Sequence, residues 1–234
     1  MNRKCIIGII TLCMLGIMGW TMAQTLEEIQ RGRHGKRSSL KTEKSQNIDK
    51  AKVLIVIGDG AEVLDTMYPF FRLAEDYQVV VAGPEKETYH LVIHQLKPGW
   101  DITEESPGYL LDSDVAFSDV KPEEYAALVL PGGRAPEYLR YDEDLLKIIK
   151  HFFAKNKPVA SICHGVEILA TADVIRNRKV TTIPKCRFDV QACGAEYVID
   201  PVIQSGNLLC ARGKKDMAEW MKIFTTMIKD AIRK

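Results

Sequence analysis

Apolar and polar positions alternate along this chain in two rhythms. Ala51-Lys52-Val53-Leu54-Ile55-Val56-Ile57, Tyr125-Ala126-Ala127-Leu128-Val129-Leu130 and Lys157-Pro158-Val159-Ala160-Ser161-Ile162 are near-continuous apolar runs. Runs of that length and composition predict strands of a parallel sheet, buried on both faces. Tyr77 to Ala82 predicts another strand, and Lys179 to Thr182, Tyr197 to Ile199 and Leu208 to Ala211 predict shorter ones. Between them apolar residues recur at helical spacing. Leu64, Met67, Tyr68, Phe71 and Leu73 follow Glu62, and further helices are expected from about Asp142 to Lys155, Glu167 to Ile175 and Met217 to Ile232. Glu85 to Ser113 breaks the rhythm with short alternating pieces, Pro98-Gly99 and Ser106-Pro107-Gly108, and reads as an antiparallel excursion or hairpin. Strand alternating with helix implies right-handed crossovers. The expected fold is a three-layer α/β sandwich around a mostly parallel sheet.

The beginning of the chain follows neither rhythm. Asn2-Arg3-Lys4 is basic, Cys5 to Trp20 is apolar, and Thr21-Met22-Ala23 offers small residues before a cut. That pattern predicts a secretory signal peptide over residues 1–23 and an exported protein, periplasmic or secreted; an uncleaved anchor is the alternative. Residues 24–50 are polar and predict a flexible linker. A domain over residues 51–234 follows. The 234 residues carry a formal net charge of +1 and are 46% hydrophobic, so no charge bias points to nucleic acid or a membrane surface. Four cysteines lie beyond the first segment: Cys163, Cys186, Cys193 and Cys210. Export makes a disulfide among the last three conceivable, with the pairing open.

Candidate chemistry gathers where predicted strands end. Cys163-His164-Gly165 joins a strand to a helix, and a sharp turn there presents one side chain at the carboxyl edge of the sheet. A thiol at a helix N-terminus ionises more readily, so Cys163 is the expected nucleophile and the expected most acidic thiol. A buried structural cysteine is the competing reading. Glu62, at the start of the first helix on the same edge, is either a helix-end charge or the thiol's proton partner. Pro131-Gly132-Gly133-Arg134 follows another strand; the N–H groups of Gly133 and His164 would hold an oxyanion beside Cys163. His90 and His94 are four apart, but the segment reads as strand and supplies no third ligand, so no metal or other cofactor is expected.

The stretches Ala127 to Glu137 and Lys157 to Gly165 closely resemble the ThiJ/PfpI superfamily, which includes PfpI-type peptidases, deglycases and glutathione-independent glyoxalases. The resemblance covers roughly Lys52 to the C-terminus. It implies a flavodoxin-like fold related to class I glutamine amidotransferases. It also implies Cys163 as nucleophile, His164 as its neighbour, Glu62 as the acid on the thiol, and Gly133 with Gly132 on the oxyanion side. Glu137 would reach the histidine of a neighbouring subunit, so a homo-oligomer, dimer or larger, is implied. Ala61 stands where an aromatic is frequent, and Cys186 lies in a loop bordering the family's pocket. The leading functional expectation is a glyoxalase- or deglycase-like enzyme that acts on reactive aldehydes and needs no cofactor. A PfpI-like cysteine peptidase or amidase is the second, and a redox sensor or holdase without turnover is the third. The second is weakened by His164, because a histidine adjacent to the nucleophile does not usually serve as its base without an outside orienter.

Overall fold

A computed structural model describes residues 50–233. The expected signal peptide and nearly all of the linker lie outside the described residues. The reading of residues 1–23 as a signal for secretion is corrected: nothing described supports it, and among the described residues no helix is long and apolar enough to cross a membrane.

The chain runs β1 (Lys52–Val56), α1 (Val63–Ala74), β2 (Gln78–Gly83), β3 (Thr88–Leu96), β4 (Thr103–Asp112), β5 (Val115–Ala116) and β6 (Tyr125–Leu130). It continues through α2 (Pro136–Leu139), α3 (Glu143–Ala154), β7 (Val159–Ile162), α4 (Val166–Thr171), β8 (Lys179–Val180) and α5 (Arg187–Ala192). It closes with β9 (Glu196–Tyr197), β10 (Val202–Ser205), β11 (Leu208–Ala211) and α6 (Met217–Ile232). Seven strands form one sheet in the order β10-β11-β7-β6-β1-β2-β5, parallel except for β10 against β11. From β1 the chain steps to β2 through α1; from β6 it steps the opposite way to β7 through α3. Right-handed crossovers in opposite directions put those helices on opposite faces. Helix α6 packs against α1, and α3 against α4. The expected α/β sandwich is the fold observed.

The central strands are buried because both faces are covered. In β7 and β11 every residue is buried, and in β6 all but Ala126. Three expectations at the periphery are revised. Lys179-Val180 and Glu196-Tyr197 pair with each other outside the main sheet. The Cys186 loop continues into α5, and β10 forms the antiparallel edge. The third revision concerns α1. Val63, Asp65, Thr66, Met67, Pro69, Phe70 and Leu73 are its buried residues. Leu64, Tyr68 and Phe71 face outward, at 47%, 36% and 57% exposure, so of the five apolar residues expected at helical spacing only Met67 and Leu73 enter the core. The four cysteines beyond the linker are all free thiols, so no disulfide joins Cys186, Cys193 or Cys210.

The hairpin of β3 and β4 is antiparallel, as expected. It is stitched to the loop after β1: Gly60 N–H donates to the His90 carbonyl at 2.7 Å, and Val92 N–H to the Ala61 carbonyl at 2.9 Å. The hairpin is thereby held beside the carboxyl edge of the sheet.

Candidate active site

Three neighbouring strands deliver the site. β7 ends at Cys163, β6 at Pro131-Gly132-Gly133, and β1 leads into the loop carrying Glu62 at the head of α1. Cys163 has φ +55°, a left-handed conformation that costs a non-glycine residue on the order of 1–3 kcal/mol. Neighbouring groups hold it there. The Thr182 hydroxyl donates to the Cys163 carbonyl at 2.5 Å. Gly165 lets the turn close, because a Cβ there would strike the Leu130 carbonyl oxygen. At Gly132 a Cβ would lie 2.6 Å from Asp65 Oδ2, 2.6 Å from Cys163 Cβ and 2.9 Å from the His164 nitrogen. Gly133, at φ +93°, lies against the Gly60 carbonyl oxygen and the Glu62 nitrogen. The two glycines are therefore where the three loops meet, and neither position has room for a side chain.

The His164 and Gly133 N–H groups lie beside the Cys163 sulfur and favour its anion. They do not prevail. Burial, and then the Asp65 charge, push the thiol well above its ordinary value. The expectation of an unusually acidic Cys163 is corrected on that ground: a helix end does not offset removal from water beside another acid.

Asp65 is the residue that sequence reasoning missed. It sits in the first turn of α1, is 2% exposed, and lies beside the Cys163 thiol and the Gly132 N–H, with its Oδ2, like one oxygen of Glu62, buried without a hydrogen-bond partner. Burial first, then the charge of Glu62, raise its carboxyl to about 8; the contacts with Cys163 and Gly132 oppose the rise. Glu62 itself is the N-cap of α1: its Oε2 accepts the Asp65 N–H at 2.8 Å. Its other oxygen is buried with no hydrogen-bond partner. The expectation that Glu62 bonds the thiol is corrected. Glu62 orders the first turn, and the carboxyl against the sulfur belongs to Asp65.

His164 does contact the thiol, with Nδ1 3.3 Å from Cys163 Sγ. The left-handed bend at Cys163 brings adjacent side chains together, contrary to the expectation for a neighbouring histidine. Burial, His94, Lys185 and Arg134 lower the His164 pKa to about 4, so the ring is neutral at pH 7. His94, on β3, lies edge-on to His164 with ring centroids 6.4 Å apart, and its Nε2 is 3.4 Å from Glu105 Oε1. His90 stays apart, exposed and paired with Asp59 at 3.2 Å. Glu137 is exposed on α2 and tied to Arg134 at 3.0 Å on the surface.

Among known proteins, the family model described as the DJ-1/PfpI family matches residues 51–227. The chain belongs to the DJ-1/PfpI family. It is 40% identical over 179 residues to Deglycase TK1284 of Thermococcus kodakarensis, covering 76% of this chain and 99% of that one. It is 35% identical over 179 residues to Deglycase PfpI of Pyrococcus furiosus, with the same coverage. Among solved structures, the ThiJ/PfpI domain protein of Brachyspira murdochii matches with a TM-score of 0.65 at 21% identity, covering 77% of this chain and 98% of that one; this likeness speaks to fold alone. Asp65 was signalled in the sequence, as an acidic residue three after Glu62 in the first turn of a mostly apolar helix.

Proposed function

We propose that this DJ-1/PfpI protein is a cysteine-dependent enzyme acting on reactive carbonyls, with deglycase- or glyoxalase-like chemistry. The observation that carries the reading is the convergence on Cys163 of one buried acid, one neutral imidazole and two backbone N–H groups. Relatives named as deglycases support it.

The Cys163 sulfur adds to the aldehyde carbon of methylglyoxal as its proton passes to a neighbouring group, forming a hemithioacetal. The Gly133 and His164 N–H groups hold the oxygen on which charge develops. Asp65 and the neutral His164 ring move a proton between the two carbons through an enediol, leaving a thioester of lactate. Water releases lactate and restores the thiol. An adduct of methylglyoxal on an amine or thiol joins the same path when the Cys163 sulfur displaces the amine or thiol from the carbinol carbon, the departing group taking up a proton and leaving the same hemithioacetal on Cys163. Asp65 suits a proton shuttle because its raised pKa keeps the proton available near neutral pH.

The test is lactate formation from methylglyoxal, and release of free thiol from its hemithioacetal adduct, with wild type and Cys163→Ala. Turnover in wild type and none in the variant are expected. Turnover that survives in Cys163→Ala overturns the reading. The peptidase alternative has one observation behind it, the 3.3 Å contact of His164 with the thiol. Cleavage of a fluorogenic peptide by wild type, without carbonyl turnover, is the result that favours it. Self-association is part of the proposal: Leu64, Tyr68 and Phe71 leave an apolar stripe on α1 for a second copy to cover.

A further inference from the structure

Cys186 has no part in the chemistry above, yet it is 1% exposed in a turn that borders the site. Its thiol donates to Glu167 Oε1 at 3.4 Å. Glu167 lies in the first turn of α4, two residues past the nucleophile's turn, and is 7% exposed. One ligand atom each from His164, Glu167 and Cys186 lie within 4.8 Å of one another. We propose that these three side chains form a binding site for a borderline-soft divalent cation, zinc above all.

The donor set is one nitrogen, one carboxylate oxygen and one sulfur, which suits zinc better than calcium or magnesium, whose preferred ligands are all oxygen. Three protein ligands leave a fourth tetrahedral position open. Ligand atoms around zinc stand roughly 3.3–3.8 Å apart, from bond lengths of about 2.0–2.3 Å. The present spacing therefore needs contraction by about 1 Å. Rotation of the His164 ring and the Glu167 carboxylate can supply it.

The charges match as well. Arg140 Nη1 stands 3.6 Å from Glu167 Oε2, and its Nη2 2.9 Å from Asp189 Oδ1. Binding releases the Cys186 proton to solvent and leaves a thiolate. The dication and Arg140 then face the negative charges of Glu167, Asp189 and Cys186 in equal number. The cation would sit one side chain away from Cys163, sharing His164 with it. Cys186 and Glu167 take no part in the carbonyl chemistry, so His164 is the one side chain the two sites share.

Cobalt(II) is the probe, because its thiolate complexes absorb. The full chain, stripped with a chelator and held under a phosphine reductant, is titrated with cobalt. Expected are uptake of one equivalent, a sulfur-to-cobalt charge-transfer band in the near ultraviolet, and displacement by zinc. Cys186→Ser should remove the band, and Glu167→Gln should weaken uptake by at least about tenfold. Cys163→Ala should keep the band, which separates this site from metal capture by the nucleophile. Circular dichroism of each variant screens for folding, and Glu167→Gln carries the test if Cys186→Ser does not fold. No uptake by wild type, a band unchanged in Cys186→Ser, uptake unchanged in Glu167→Gln, or a band lost in Cys163→Ala overturns the proposal.

Discussion

Asp65 is a carboxyl kept inside the fold at a cost to stability. An aspartate in an unfolded chain titrates near 3.9. In the folded protein burial and Glu62 raise Asp65 to about 8. Between those values the unfolded chain has released the proton while the fold retains it. Asp65's contribution to stability must therefore fall as pH rises from about 4 to about 8, and level off beyond. Asp65→Asn removes the titration and keeps the shape. Its melting temperature should match that of wild type near pH 4 and exceed it at pH 8 by about 5 °C or more. Thermal scans across that range check this; equal melting temperatures at pH 8 would mean that Asp65 is not held protonated. Sequence reading chose Glu62 because its carboxylate sits where a helix begins. It could not see that an N-cap side chain turns back onto its own helix while the third residue of the first turn points at the sheet edge.

At the scale of elements, the strands that form the site were legible, and the helix that completes it was legible as a helix but not in the face it buries. β1, β6 and β7 are apolar without interruption because both faces are covered, and such runs are unambiguous. Helix α1 carries apolar residues nearly all round. Leu64, Tyr68 and Phe71 match helical spacing as well as Val63, Thr66 and Phe70 do, so periodicity alone did not choose the buried face. The short pieces at β8, β9 and α5 were uncertain because their pairing depends on tertiary contacts. The glycine turn after β6 was expected to bring backbone amides to a ligand or to turn tightly, and its packing against the α1 loop was not legible. Gly133 combines φ +93° with contact to the Gly60 carbonyl oxygen and the Glu62 nitrogen. Gly133→Ala should lower the melting temperature by at least about 5 °C and slow turnover together, since it pushes the α1 loop away from Cys163. A variant with unchanged melting temperature would show that the loop yields without strain.

At the scale of the molecule, the hairpin of β3 and β4 makes the sheet edge into a site. It sets His94 against His164 and Glu105 against both His94 and Arg134, the latter at 3.4 Å. The Lys214 ammonium, just before α6, donates to the His94 carbonyl at 2.8 Å. The hairpin is thus tied at both ends of the chain's domain. The stripe of Leu64, Tyr68 and Phe71 is the other large-scale feature, and it lies on the helix that carries Asp65. If a second copy covers it, sedimentation of wild type should give a dimer or larger assembly, and Phe71→Glu should shift it toward monomer. A wild-type monomer at tens of micromolar would leave the stripe without that role.

The central claim is that the proton partner of Cys163 is Asp65 and not the capping residue Glu62. Rates of lactate formation from methylglyoxal, compared for wild type, Asp65→Asn and Glu62→Gln, test it most directly. Removing a proton-transfer group typically costs on the order of a hundred- to ten-thousand-fold in rate. Asp65→Asn should fall within that range while remaining folded, whereas Glu62→Gln, whose side-chain oxygen still caps the helix, should keep its rate within about tenfold of wild type. A hundredfold loss in Glu62→Gln alongside near-normal turnover in Asp65→Asn would contradict the account.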